Sequence, residues 1–219
     1  MAKPPVVEES QLRHAMKVAA VTGQTRLRDV AVLACLYGTG MTATELAQLE
    51  VADVLNEDGT FRRKSEIRAG IAFNGKARPV FWVNGRLLEA LDAYFDCRLT
   101  AGHGTTRWRS QWRGLVQLGP VFLTNDGRPF TMTKRKTAAG ALSRSCESLT
   151  QVIRRLHEQA GIEGAGATAA RRTFAVRLAR QGFDLRHLRE VLGLSTLSAA
   201  KALAGGDPVD LARIVAKVI

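Results

Sequence analysis

The sequence predicts a mainly α-helical fold with a small antiparallel β-sheet inserted early, an α+β arrangement. Three observations carry this expectation. Apolar residues recur at helical spacing in the first 50 residues and again through the last third. Between Val51 and Val83 the pattern changes to short apolar runs broken by Asp58-Gly59 and Asn74-Gly75, of which Asn-Gly is the stronger hairpin signal. No internal repeat or low-complexity tract competes with this reading. At 219 residues and 46% hydrophobic, the chain can bury a substantial core in one large domain.

Taken in order, Met1–Glu9 reads as a loose lead-in with Pro4 and Pro5, and residues 10–219 as a single domain. Ser10 can cap a helix running to about Val21, which the Gly23–Thr25 segment ends. Leu27–Tyr37 is apolar at helical spacing and stops at the Gly38/Gly40 pair, a C-cap signal. Thr42–Glu50 gives a short helix with Leu46 and Leu49 on one face. Ile67–Phe73 and Ala77–Val83 read as strands joined by the Asn74-Gly75 turn, followed by a helix over about Arg86–Leu99. The polar stretch AGHGTTRWRSQWRG is a loop, and Pro120–Thr131 a small strand, turn and strand. The remainder reads as helices over about Ala138–Ala160, Thr168–Gln181, Leu185–Leu192, Leu197–Leu203 and Pro208–Val218.

Charge narrows the functional class. The net charge is +12, and such a field concentrates polyanions around the chain. It is unevenly spread: Lys134–Arg189 holds twelve Lys and Arg against four acids, two thirds of the net charge. A solvated helix face intersperses its signs, so this asymmetry favours a nucleic-acid surface over plain solubility. No apolar run is long enough to span a bilayer, and no secretory h-region is expected from the sequence. Cys35, Cys97 and Cys146 are odd in number and lack metal-ligand spacing, so no metal or other cofactor is expected. They fit a reducing, cytoplasmic setting.

Three segments carry a family resemblance. RDVAVLACLYGTGMTATELAQLEVADV, then NGKARPVFWV, then ARRTFAVRLARQGFDLRHLREVLG, in that order and spacing, together resemble the catalytic domain of the tyrosine recombinases, the phage-integrase family. Each segment alone is explained by packing helices. The resemblance implies a recombinase catalytic-domain fold. It also implies chemistry in which a tyrosine attacks a DNA phosphate, two arginines neutralise the developing charge, and a hairpin lysine with histidines moves protons.

Carried over residue by residue, the resemblance implies a degenerate site. Thr42 stands in Thr39-Gly40-Met41-Thr42-Ala43-Thr44-Glu45-Leu46 where the family's first arginine belongs, and a hydroxyl cannot grip phosphate as a bidentate cation. Glu45 is retained and reads as a structural acid. Lys76 matches the hairpin lysine, although a lysine beside an Asn-Gly turn is also common on any exposed hairpin. The His-x-x-Arg motif falls on Thr168-Ala169-Ala170-Arg171, keeping Arg171 and replacing histidine by Thr168. Arg172 adds charge but cannot shuttle a proton. Leu194 occupies the next histidine or tryptophan position and Leu203 the nucleophile position. The two tyrosines, Tyr37 and Tyr94, both lie in the first half, where packing explains them.

The expectation is therefore a catalytically inactive, recombinase-like binder of double-stranded DNA: a transcriptional regulator or a recombination accessory factor of a mobile genetic element. Its expected DNA contacts are Lys76, Arg78, Arg171, Arg172 and the run Lys134-Arg135-Lys136 at the start of the long helix. Arg107, Arg109 and Arg113 of the Trp-containing loop come second, and local packing is preferred to base stacking for Trp108 and Trp112. The family's separate helical core-binding domain is not seen ahead of residue 10. The apolar tail helix, about 207–219, docks either on its own domain or on a second copy or recombinase partner. The competing readings are a site-specific recombinase with altered chemistry and an interaction module for an active recombinase.

Overall fold

The computed structural model describes residues 3–136 and 142–205. The leading segment lies along a much later helix: the Val7 N–H donates to Thr173 Oγ1 at 2.9 Å, and the Val7 side chain is buried. Helix α1 (Glu9–Val21) starts from Glu8 rather than Ser10, because the Gln11 side chain reaches back to accept the Glu8 N–H at 2.9 Å. Helix α2 (Arg26–Thr39) is apolar on every side from Ala31 to Tyr37 and is accordingly buried there. It packs against α1, α5 (Gly85–Ala101) and α7 (Ala167–Arg180). It ends at Gly40, whose φ of 64° is left-handed. A Cβ at this position would come within 2.7 Å of the Leu192 and Phe174 side chains, so both conformation and space require glycine. The predicted Thr42–Glu50 helix is shorter, α3 (Ala43–Ala47), and is followed by one turn, α4 (Val51–Val54).

The β-structure departs from expectation in three places. Strand β1 (Lys64–Ile67) pairs antiparallel with β2 (Arg78–Phe81), Ile67 opposite Arg78. Residues 68–77 form a strap rather than a strand and a two-residue turn. The strap is pulled off the sheet by Arg68, which bonds Glu50 and Asp53, and by the Phe73 N–H, which donates to Glu45. Pro120–Thr131 makes only isolated bridges, Glu50 to Pro120 and Leu123 to Pro129. Lys134, Arg135 and Lys136 do not start a helix. They lie on β3 (Thr133–Lys136), paired with β4 (Leu142–Ser145), and the long helix α6 begins only at Glu147 and ends at Gln159. The fold is mainly α with two small antiparallel sheets among the described residues.

The C-terminal helices fall close to their predicted places: α7, then α8 (Leu185–Val191), capped by Asp184, then α9 (Leu197–Ala204), capped by Thr196. Helix α7 joins two hydrophobic clusters. Ala169 and Ala170 belong to the main core of α1, α2, α5 and α6, while Ala175 belongs to a small cluster with Leu188, Leu192 and Ala200. The predicted tail helix lies outside the described residues, among which no helix is long and apolar enough to cross a membrane.

Candidate functional site

A cleft of about 830 Å³ opens where α3, α6, α7, α9 and the strap meet. Thr42, Thr168, Arg171, Leu194 and Leu203, scattered through the sequence, all line it. The fold thus brings together the expected catalytic positions and one expected phosphate contact. Phe73, Arg144, Thr150 and Arg154 complete much of the wall, and no Asp, Glu, His, Cys or Tyr is among the described lining residues.

Behind two of the lining residues, Thr42 and Arg171, lies a buried electrostatic cluster built from α3 and β2. Thr42 caps α3: its Oγ1 accepts the Glu45 N–H at 3.2 Å while its own N–H donates to Glu45 Oε2 at 2.9 Å. Arg78 donates to the same carboxylate oxygen at 3.0 Å and to Val191 O at 2.9 Å. Burial alone would push the Glu45 carboxyl up. Arg78 beside it, the Thr42 N–H and Arg171 outweigh this and hold it below the ordinary value of 4.5.

Arg171 projects from the first turns of α7 and is 7% exposed. It donates to Gly40 O at 2.7 Å and Leu192 O at 2.6 Å, tying the end of α2 to the end of α8. Burial, reinforced by the like charge of Arg78 against the pull of Glu45, pushes it down to about 10, so it stays cationic at neutral pH. Two buried guanidinium groups thus stand against one carboxylate, Arg78 bonded to it and Arg171 feeling it only through its field, which leaves an excess positive charge beside the cleft. The strap covers it. The Phe73 ring centre lies 5.9 Å from the Arg171 guanidinium carbon, and the Asn74 side-chain amide donates to Gly193 O and, at 3.4 Å, to Ser195 Oγ.

The other expected contacts are placed differently. Arg78 is 2% exposed in its ion pair and presents no surface to a duplex, contrary to the sequence expectation. Its parity explains this, because Arg78 and Val80 point to one face of β2 and both are buried, as is Trp82 just past the strand's end. Arg172 is half-buried and donates to Pro4 O and Gly205 O. Lys76 is exposed on the strap, where its N–H donates to Asn74 Oδ1 at 3.1 Å. Lys134, Arg135 and Lys136 are exposed on β3. In the Trp-containing loop, Arg113 is committed to Asp92 and Gly59 O, whereas Arg107 lies over the exposed ring of Trp108.

Neither tyrosine reaches the cleft. The Tyr37 hydroxyl is buried and donates to His157 Nε2 at 2.7 Å, while His157 Nδ1 donates to Ile153 O at 2.7 Å. The buried Tyr94 hydroxyl accepts the Leu123 N–H at 3.1 Å. Among the described residues no cluster of His, Cys, Asp and Glu could hold a metal ion. Phe73, Asn74, Arg144 and Arg154 escaped the sequence reading. The spacing of Thr150 and Arg154, four apart on one helix, was the available signal for Arg154.

The chain matches no family model. It is 31% identical over 179 residues to the tyrosine recombinase XerC of Roseiflexus castenholzii, a match covering 80% of this chain and 46% of that protein. With the tyrosine recombinase XerD of Staphylococcus haemolyticus it shares 25% identity over 199 residues, covering 90% of this chain and 57% of that one. The chain spans about half the length of the relatives it matches. Among solved structures, the XerA recombinase superposes with a TM-score of 0.69 at 20% identity, covering 99% of this chain and 64% of that one. The XerH site-specific recombinase in its post-cleavage complex with palindromic difH substrate superposes with a TM-score of 0.65 at 18% identity, covering 99% of this chain and 54% of that one. Sequence and fold together relate this chain to the tyrosine recombinases, as a counterpart of their catalytic domain.

Proposed function

We propose that this chain binds double-stranded DNA through its basic cleft and does not cut it, acting as a transcriptional regulator or recombination accessory factor of a mobile genetic element. The observation that carries the proposal is the lining of the cleft. Its charged side chains are arginines, its hydroxyls are threonines, and no described lining residue can take up or release a proton near neutral pH. Covalent strand transfer needs an activated nucleophile. Leu203 and Leu194 offer only hydrocarbon there, Thr168 has no base among the described lining residues, and the Glu45 carboxylate next to Thr42 is already engaged by Arg78 and the Thr42 N–H. What remains is charge: Arg171 over the Glu45–Arg78 pair, with Lys76, Arg172, Lys134, Arg135 and Lys136 as further cations around it. A phosphodiester supplies the negative charge that this cluster lacks. The DNA-bound state of the XerH relative supports DNA as the partner.

Two measurements test the proposal. Filter binding of plasmid DNA at about 50 and about 200 mM salt should show roughly 40-fold weaker binding at the higher salt if about three phosphates are contacted. Absent or salt-independent binding would defeat DNA as the partner. Incubation with a nicked suicide duplex followed by a denaturing gel should give neither cleavage nor a covalent adduct. An adduct would return the chain to the recombinases with altered chemistry.

A further inference from the structure

We infer that Arg144 on β4 and Arg154 on α6 are additional DNA-backbone contacts, so that the β3–β4 hairpin and α6 form one basic wall leading a duplex into the cleft. The inference rests on DNA being the partner. It starts from the cleft lining, where Arg144 and Arg154 stand with Arg171 and no acid stands among them.

Arg154 is exposed and has no hydrogen bond or ion pair among the described residues. Its neighbour Arg155 reaches the buried Asp29 at 3.6 Å. Two adjacent arginines on one helix thus have different fates. One braces the core, while the other faces the cleft beside Thr150, which lies one turn earlier on the same face.

The hairpin adds an independent observation. Its register sets Lys134 directly opposite Arg144, and like charges in that relation weaken a sheet. Lys134, Arg135 and Lys136 are all exposed, and neither described strand carries an acid. Arg144 makes one described bond, donating to Gly70 O of the strap at 2.7 Å, which brings the hairpin up to the cleft rim. A strand pair carrying four cations and no internal counter-charge is suited to an external polyanion. The phosphates of a duplex entering the cleft would lie against this wall.

The test measures affinity of the full chain for a linear duplex by fluorescence anisotropy across a salt series. The readout is the slope of log affinity against log salt. Arg154→Gln and Arg144→Gln should each reduce the magnitude of the slope by roughly 0.9, about equally on unrelated sequences. Arg155→Gln, on the same helix but committed to Asp29, should leave the slope unchanged. Because Arg144 also anchors the strap, a melting curve accompanies its variant, and Arg154→Gln carries the test without it. If both cleft variants keep the slope of Arg155→Gln, the wall is only a solvated charge and the inference falls. If the unaltered chain shows no salt-dependent binding, the underlying reading fails instead. If polyaspartate of matched charge competes as well as DNA, the wall belongs to an acidic protein and the inference is overturned.

Discussion

Glu45 neutralises part of a charge cluster that would otherwise repel itself. It accepts from Arg78, from the Thr42 N–H and from the Phe73 N–H, three elements meeting on one carboxylate. Glu45→Gln leaves Arg78 and Arg171 buried without a counter-ion, and breaking a buried pair in this way costs about 3–5 kcal/mol, readable by urea unfolding. The pH dependence has a definite sign. The folded-state value for Glu45 is lowered, so its contribution is complete above 4.5 and is lost as pH falls through the lowered value. His157 adds an earlier step in the same direction. Burial, against the bond to Ile153 O, holds the imidazole below 6.5, so stability present above 6.5 erodes as pH falls beneath it. Following the His157 ring by NMR should show a midpoint below 6.5. Thr42→Ala removes the α3 cap and should cost about 1 kcal/mol in the same urea assay. At this scale the sequence was legible where motifs fix a position, as for Thr42, Thr168, Arg171, Leu194 and Leu203. It was misread at Arg78, where the parity shared with Val80 pointed inward and the motif distracted from it.

Among the elements, the strap and the β3–β4 hairpin were the least legible, for one physical reason. Asn74-Gly75 has the local signature of a hairpin turn, yet Asn74 commits its side chain to Gly193 O, a partner 119 positions away that no local pattern encodes. The hairpin was missed because β-strands announce themselves by alternating apolar residues, and Thr133–Lys136 has none. Helices α5 and α7 were legible because their burial is periodic, α2 because its apolar run is too long for a strand, and all three because glycine or asparagine stands at their ends. The strap's hold is correspondingly local. Asn74→Ala should quicken amide exchange across residues 68–77 while leaving the melting temperature nearly unchanged, since its bonds are exposed. A drop in melting temperature comparable to that of Glu45→Gln would show that the strap is structural rather than a cover.

At the scale of the whole molecule, stability is divided unequally. The main cluster gathers α1, α2, α5 and α6, whereas α8 and α9 rest on a handful of buried residues around Leu188, Leu192 and Ala200. Hydrogen exchange should therefore open α8 and α9 well before α2 and α5, and equal protection would contradict this division. The consequence reaches the cleft through Leu194 and Leu203, which pack against that small cluster while lining the cavity. At these two positions chemistry and cohesion compete for the same space. Leu194→His or Leu203→Tyr would take apolar contact from the weakest part of the fold, so what these two positions can hold is set by the cohesion of α8 and α9 as much as by the room in the cleft.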